Sequence, residues 1–124
     1  MKNPKRNELA DKYLEGTVAY QTNYGHNSRL TNQATKAIAK AAKKIRLLED
    51  RGIAILSPML KHELPHVRLW AAYHLLPVYE FSAIKTLKNL ISNEDSFVYV
   101  EAEILLKEWQ NSTLDVDWFM NSAD

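Results

Sequence analysis

Two stretches of this chain carry one apolar pattern at an offset of 31 residues, and few architectures tolerate such a repeat. With residues 53–76 laid on 84–107, Ile53 meets Ile84, Leu56 meets Leu87, Met59 meets Leu90 and Leu60 meets Ile91. Further on, Val67 meets Val98, Ala71 meets Ala102 and Leu75 meets Leu106. Each copy divides into a short apolar helix, a polar break (His62-Glu63-Leu64-Pro65, then Asn93-Glu94-Asp95-Ser96), and a second helix with a small residue where two helices must approach closely. A unit of this kind cannot bury its apolar side alone, so copies stack. Pro65 suits the break, because the first helical turn loses no intrahelical N–H bond to proline. Pro77 closes the first copy.

The first 51 residues contribute two more helices. Leu9, Tyr13, Gly16 and Tyr20 recur at helical spacing and predict a helix over residues 5–21. Turn formers at 22–28 follow, with Asn27 or Ser28 placed to cap what comes next. A long helix is expected from Leu30 to Arg51, ended by Gly52, with Ala34, Ile38, Ala41, Ile45 and Leu48 on its apolar stripe. The fold expected is therefore all-α, a short solenoid of about three helical hairpins in one domain: 1–51 as a divergent N-terminal hairpin, 53–110 as two repeats, and 111–124 as an acidic cap or tail. In that tail Trp118 and Phe119 either cover the open end of the last hairpin or form a docking segment.

Composition narrows the chemistry. With 124 residues and 46% hydrophobic content the chain has enough apolar material for one core. No cysteine is present, so disulfides, thiolate metal sites and cysteine nucleophiles are excluded. Three separated glycines cannot form a phosphate-binding loop. Neither a signal-peptide pattern nor a run of about 18 apolar residues occurs, which predicts a cytoplasmic protein away from membranes. The formal charge of +1 hides an asymmetry: residues 1–51 carry 11 basic and 5 acidic side chains, and residues 52–124 carry 5 and 10.

The sequence Val67-Arg68-Leu69-Trp70-Ala71-Ala72, with Glu101-Ala102-Glu103 and Leu106-Lys107-Glu108-Trp109, resembles HEAT-like repeats. More narrowly, it is similar to a bacterial family of small HEAT-like domains without an assigned function, over about residues 53–110. Small all-α proteins of this kind also resemble immunity proteins, including those paired with toxins of contact-dependent growth inhibition. That resemblance implies a protein that binds and blocks a cognate toxin domain, and the chain is expected to be monomeric when free.

Candidate chemistry follows the charges. His62, Glu63, His66 and His74 suggest a metal site, but Pro65 interrupts the helix that an i, i+4 histidine pair requires, so no metal or other cofactor is expected. His74 shares the Val67-Ala71-Leu75 side and reads as a core-edge histidine held by a hydrogen bond. Among the carboxylates, Glu101 and Glu108 share one side of their helix while Glu103 projects elsewhere, and Arg68 is expected to pair with Glu101 or Glu103. No residue is expected to be catalytic, and the chain reads as a binding protein rather than an enzyme. The partner surface expected is the acidic edge of Glu94, Asp95, Tyr99, Glu103, Asp115 and Asp117, which would imitate the charge of nucleic acid before a cationic nuclease. The alternative is a nucleic-acid-binding domain, distantly similar to HEAT-like DNA glycosylases, using the ridge Lys36, Lys40, Lys43 and Lys44 with Tyr20, Tyr24 and His26 nearby. The net charge argues against it, because a dedicated nucleic-acid binder carries a basic excess.

Overall fold

In the computed structural model, which describes residues 4–93 and 98–114, every regular element is helical. The order is α1 (Pro4–Asn23), α2 (Ser28–Ile45), α3 (Ile53–Leu56) continuing into a 3₁₀ turn (Ser57–Lys61), α4 (Pro65–Leu75), α5 (Glu80–Ser92) and α6 (Val98–Gln110). No described helix is long and apolar enough to cross a membrane.

Most elements that follow one another in the chain pack on one another, as short connections favour. α2 packs along α1, α4 packs on the turn before it, and α6 packs on α5; α4 also touches α1, α5 and α6. The repeat is visible as burial. At all seven matched positions the two copies have the same environment: Leu56 and Leu87, Met59 and Leu90, Val67 and Val98, Ala71 and Ala102, and Leu75 and Leu106 are buried, while Ile53 and Ile84, and Leu60 and Ile91, are half-buried. The copies differ in their first helices. α5 runs for 13 residues, whereas its counterpart makes one α-turn and then tightens into a 3₁₀ turn at Pro58, which occupies the position of Asn89 and has no N–H for an i−4 carbonyl.

α2 is capped as the sequence implies, with the Asn27 side chain accepting from the Leu30 N–H at 3.0 Å. Its C-terminus is earlier than expected. The α-helix stops at Ile45, and residues 46–52 form turns closed by Leu47 N–H to Lys44 O and Leu48 N–H to Ile45 O. Asp50 explains the early stop, because its carboxylate is used to start the next element. It accepts from the backbone N–H of Gly52 at 2.9 Å and of Ala54 at 2.8 Å, with Arg6 Nη2 3.4 Å away. Desolvation pushes the Asp50 carboxyl up, but the Ala54 and Gly52 N–H bonds and the Arg6 guanidinium outweigh it and hold it below the usual carboxylate range. Gly52 sits at φ +87° directly against the Ile45 side chain, a position that a side chain could not share.

α1 and α2 come together at Gly16. A Cβ there would lie 2.8 Å from Ile38 Cγ1, and Ile38 is fully buried. Gly16→Val should therefore lower stability by about 2 kcal/mol through overpacking, despite the poor helix propensity of glycine. Urea denaturation checks this, and an unchanged midpoint would contradict the close approach.

Candidate functional site

α4 is the most enclosed of the described helices, with His66, Val67, Leu69, Ala71, Ala72, His74 and Leu75 all buried. Two of these are histidines, and a buried imidazole needs partners. α1 supplies them. The Tyr13 hydroxyl and His74 Nδ1 share a hydrogen bond of 2.6 Å, with the two rings edge to face. Burial drives His74 down to about 3, which the Trp70 carbonyl only partly opposes, and pushes the Tyr13 hydroxyl well above its ordinary value. The pair is neutral throughout the physiological range, as a core-edge histidine should be.

His66 is held from two helices. Gln21 Oε1 on α1 accepts the His66 backbone N–H at 2.9 Å and lies 3.1 Å from its Nδ1, while Glu101 Oε1 on α6 lies 2.7 Å from its Nε2. The backbone bond satisfies one of the N–H groups that a helix start leaves open. The Tyr20 hydroxyl donates to the other Glu101 oxygen at 3.3 Å, and desolvation, then the Glu101 charge, raise its phenol far above the ordinary value. Tyr20 also stacks on Tyr24 and meets Trp70 edge to face. Three helices distant in sequence thus converge on one polar and aromatic cluster.

Above that cluster opens a cleft of about 550 Å³. Tyr20, Trp70 and Tyr73 give it aromatic walls, Leu69 and Leu105 add apolar surface, and Glu101 and Glu108 supply its carboxylates. α2 borders it through Thr35 and Ala39, and the chain reaches it again at Leu114. Ile104 lies three residues after Glu101 and four before Glu108, so helix geometry sets it beside the cleft. Ile104 is 52% and its neighbour one turn back, Val100, 45% exposed, which extends the apolar surface along α6. Such a combination suits a basic side chain from a partner: a guanidinium or ammonium gains from aromatic faces and from carboxylates at once.

The residues singled out in the sequence distribute unevenly. Glu101 and Glu108 share a side as expected, and Glu103 is exposed away from them; Tyr99 is half-buried on the same helix. Glu94, Asp95, Asp115 and Asp117, together with Trp118 and Phe119, lie outside the described residues. Lys36, Lys40, Lys43 and Lys44 are all exposed on α2. Tyr20 and Tyr24 stack on each other, and Tyr20 is half-buried while Tyr24 and His26 are exposed. The expected ion pair of Arg68 with Glu101 or Glu103 is not made. Glu101 is taken by His66 and Tyr20, and Arg68 lies on the other side of α4, because two residues along a helix correspond to about 200° of rotation. His62 and His66 have separate duties, since His62 Nδ1 accepts the Leu64 N–H at 3.1 Å inside the turn. Among the described residues no three His, Asp or Glu side chains are grouped to hold a metal ion.

Val100 and Ile104 escaped the sequence reading, although their offset from the Val98-Ala102-Leu106 stripe marks them as apolar residues outside the core. The chain was compared with protein-family models, curated proteins and solved structures, and none matches it.

The buried His74 sets a pH dependence. An unfolded imidazole takes up its proton near pH 6.5 and the folded one only near pH 3, so below pH 6.5 the unfolded state binds more protons. Stability attributable to His74 should fall by about 1.4 kcal/mol per pH unit as the pH drops through that window, and should not change above it. Chemical denaturation of the wild type and of a Tyr13→Phe/His74→Leu variant between pH 5 and 7.5 measures the difference. Equal slopes for the two proteins would overturn the assignment.

Proposed function

We propose that this chain is a protein-binding immunity protein, a HEAT-like stack of helical hairpins that neutralises a cognate toxin, a nuclease, by occluding its active site. The observation that carries this reading is the aromatic cleft with Glu101 and Glu108 in its lining and the exposed Val100 and Ile104 beside it. A nuclease active site is rich in lysine and arginine because it must hold phosphates, and a basic side chain from it would enter between Trp70 and the α6 carboxylates. Val100 and Ile104 would supply the apolar contact that excludes water around that anchor. Glu103, exposed on the same helix, adds to the negative field that steers a cationic partner and speeds association. The expected acidic edge is thereby narrowed, among the described residues, to one helix.

The rival reading, nucleic-acid binding through Lys36, Lys40, Lys43 and Lys44, has the exposure of those side chains in its favour. Of the aromatic side chains expected to serve it, Tyr20 is engaged with Tyr24, Trp70 and Glu101, which leaves Tyr24 and His26 exposed.

The two readings part on one comparison. The purified chain is titrated into the cognate nuclease domain proposed as its partner, sought first among the products of neighbouring genes, and nuclease activity is followed. Inhibition should be stoichiometric, and Ile104→Asp/Glu108→Arg should weaken it by at least about 2 kcal/mol, or roughly thirtyfold. Lys36→Glu/Lys40→Glu/Lys43→Glu should inhibit as the wild type does. Failure to inhibit, or inhibition indifferent to the α6 changes, would overturn the proposal. Loss of DNA affinity confined to the lysine variant would establish the rival.

A further inference from the structure

On the side of α4 away from the cleft lies a second and larger depression, an open groove of about 820 Å³. Its walls are the 3₁₀ turn, α4 and α5. Every charged side chain lining it is cationic: Lys61 from the turn, Arg68 from α4, and Lys85 and Lys88 from α5. None of the four has an acidic partner among the described residues. The remaining lining is mainly hydroxyl and amide groups, including Asn89, with Tyr79 at one margin and 40% exposed.

Arg68 makes this more than a solvated lysine stripe. Its Nε is buried and has no hydrogen-bond partner among the described residues. A guanidinium carries five donors in a fixed fork and no acceptor, so with Nε enclosed, the rest of the fork is what Arg68 can offer to an anion in the groove it lines. Four like charges around one depression also repel one another, and the arrangement is relieved by an anion. The acceptor geometry an arginine fork matches best is a tetrahedral or carboxylate oxyanion, and lysines set three to four residues apart on a helix reach successive charges of the same ligand.

We propose that this groove is a phosphate-binding site for a nucleotide ligand, with the phosphates over Arg68, Lys61, Lys85 and Lys88 and the base against the exposed face of Tyr79. Polyphosphate charge matches four cations better than a single carboxylate does, and the one exposed aromatic ring at the groove margin offers a stacking surface. The ligand is either a free nucleotide or the nucleotides of a single strand, which present the same chemistry. The site is separate from the cleft that receives a protein partner and does not depend on that reading.

Isothermal titration of the full chain with pyrophosphate, a nucleoside triphosphate, a single-stranded oligonucleotide and an acidic peptide of equal charge tests it. The triphosphate or the oligonucleotide should bind, and more tightly than pyrophosphate, if the ring contributes. Tighter binding of the oligonucleotide identifies a strand as the source, and equal or weaker binding a free nucleotide. Lys61→Gln/Lys85→Gln/Lys88→Gln, three changes at exposed positions, should weaken binding by at least about tenfold with the fold intact by circular dichroism, and should reduce its salt dependence. Arg68→Lys should lose affinity while keeping the charge, and Tyr79→Ala should bring the triphosphate down to the level of pyrophosphate. The proposal is overturned if no phosphate ligand binds, if the triple variant binds as the wild type does, or if the acidic peptide competes equally, which would reduce the groove to unselective attraction of anions.

Discussion

A helix enclosed on nearly all sides tolerates polar residues only where neighbours meet their hydrogen bonds, and α4 carries two histidines in that position. His74 is 1% exposed and His66 4%. An unmatched imidazole at either place would cost about 1–3 kcal/mol, a large share of what a domain of this size has in reserve. The solution is that α1 runs past α4 with Tyr13 opposite His74 and Gln21 opposite His66, eight residues apart in each helix. That spacing is two helical turns, so both bonds form only when the helices lie side by side in one register. Apolar packing would permit several slides of α1 along α4, whereas the two polar contacts permit one.

Register then determines what the surface offers. Because α1 is fixed against α4, Tyr20 falls where it meets Glu101, and a carboxylate that would otherwise project from α6 is drawn to the edge of an aromatic cleft. Its neighbour two turns on, Glu108, has no such tie among the described residues and lines the same cleft. One helix therefore has two chemically opposite sides. Trp70 and Tyr73 look toward the α6 carboxylates, and Arg68 looks toward lysines of α5 and the 3₁₀ turn. The separation is a matter of rotation about α4 alone.

What could be read from the sequence was whatever depends on period. The 31-residue offset predicted which positions are buried in the second copy from those in the first, and seven pairs agree because burial follows helix phase. His74 was legible for the same reason, lying on a counted apolar side. The end of α2 was not legible: residues 46–51 have good helical composition, and the competing term is the Asp50 carboxylate, which gains two backbone N–H bonds by leaving the helix. Nor was the His66 cluster, since Gln21 and Glu101 reach it across separations of 45 and 35 residues, and no periodicity carries that information. The error over Arg68 has a related cause. Pairing it with Glu101 treated matching repeat positions as facing each other, whereas Arg68 and Glu101 lie on opposite sides of α4 and His66 was the nearer claimant.

The charge of the two halves is a final instance of sequence order concealing spatial order. Residues 52–124 are acidic in sum, which invites the expectation of a single negative surface. Four of the five basic residues in that half, Lys61, Arg68, Lys85 and Lys88, nevertheless converge on one groove, and the described carboxylates Glu101 and Glu108 face the opposite side. At an ionic strength of 0.15 M the Debye length is about 8 Å, shorter than the width of two packed helices, so exposed charges on the two sides scarcely feel each other. A near-neutral total is then no argument against binding either a cation-rich or an anion-rich partner, because each meets a local field rather than the sum. The arrangement works only while α4 keeps its orientation, and that orientation is held by the tyrosine and glutamine that α1 brings to its two buried histidines.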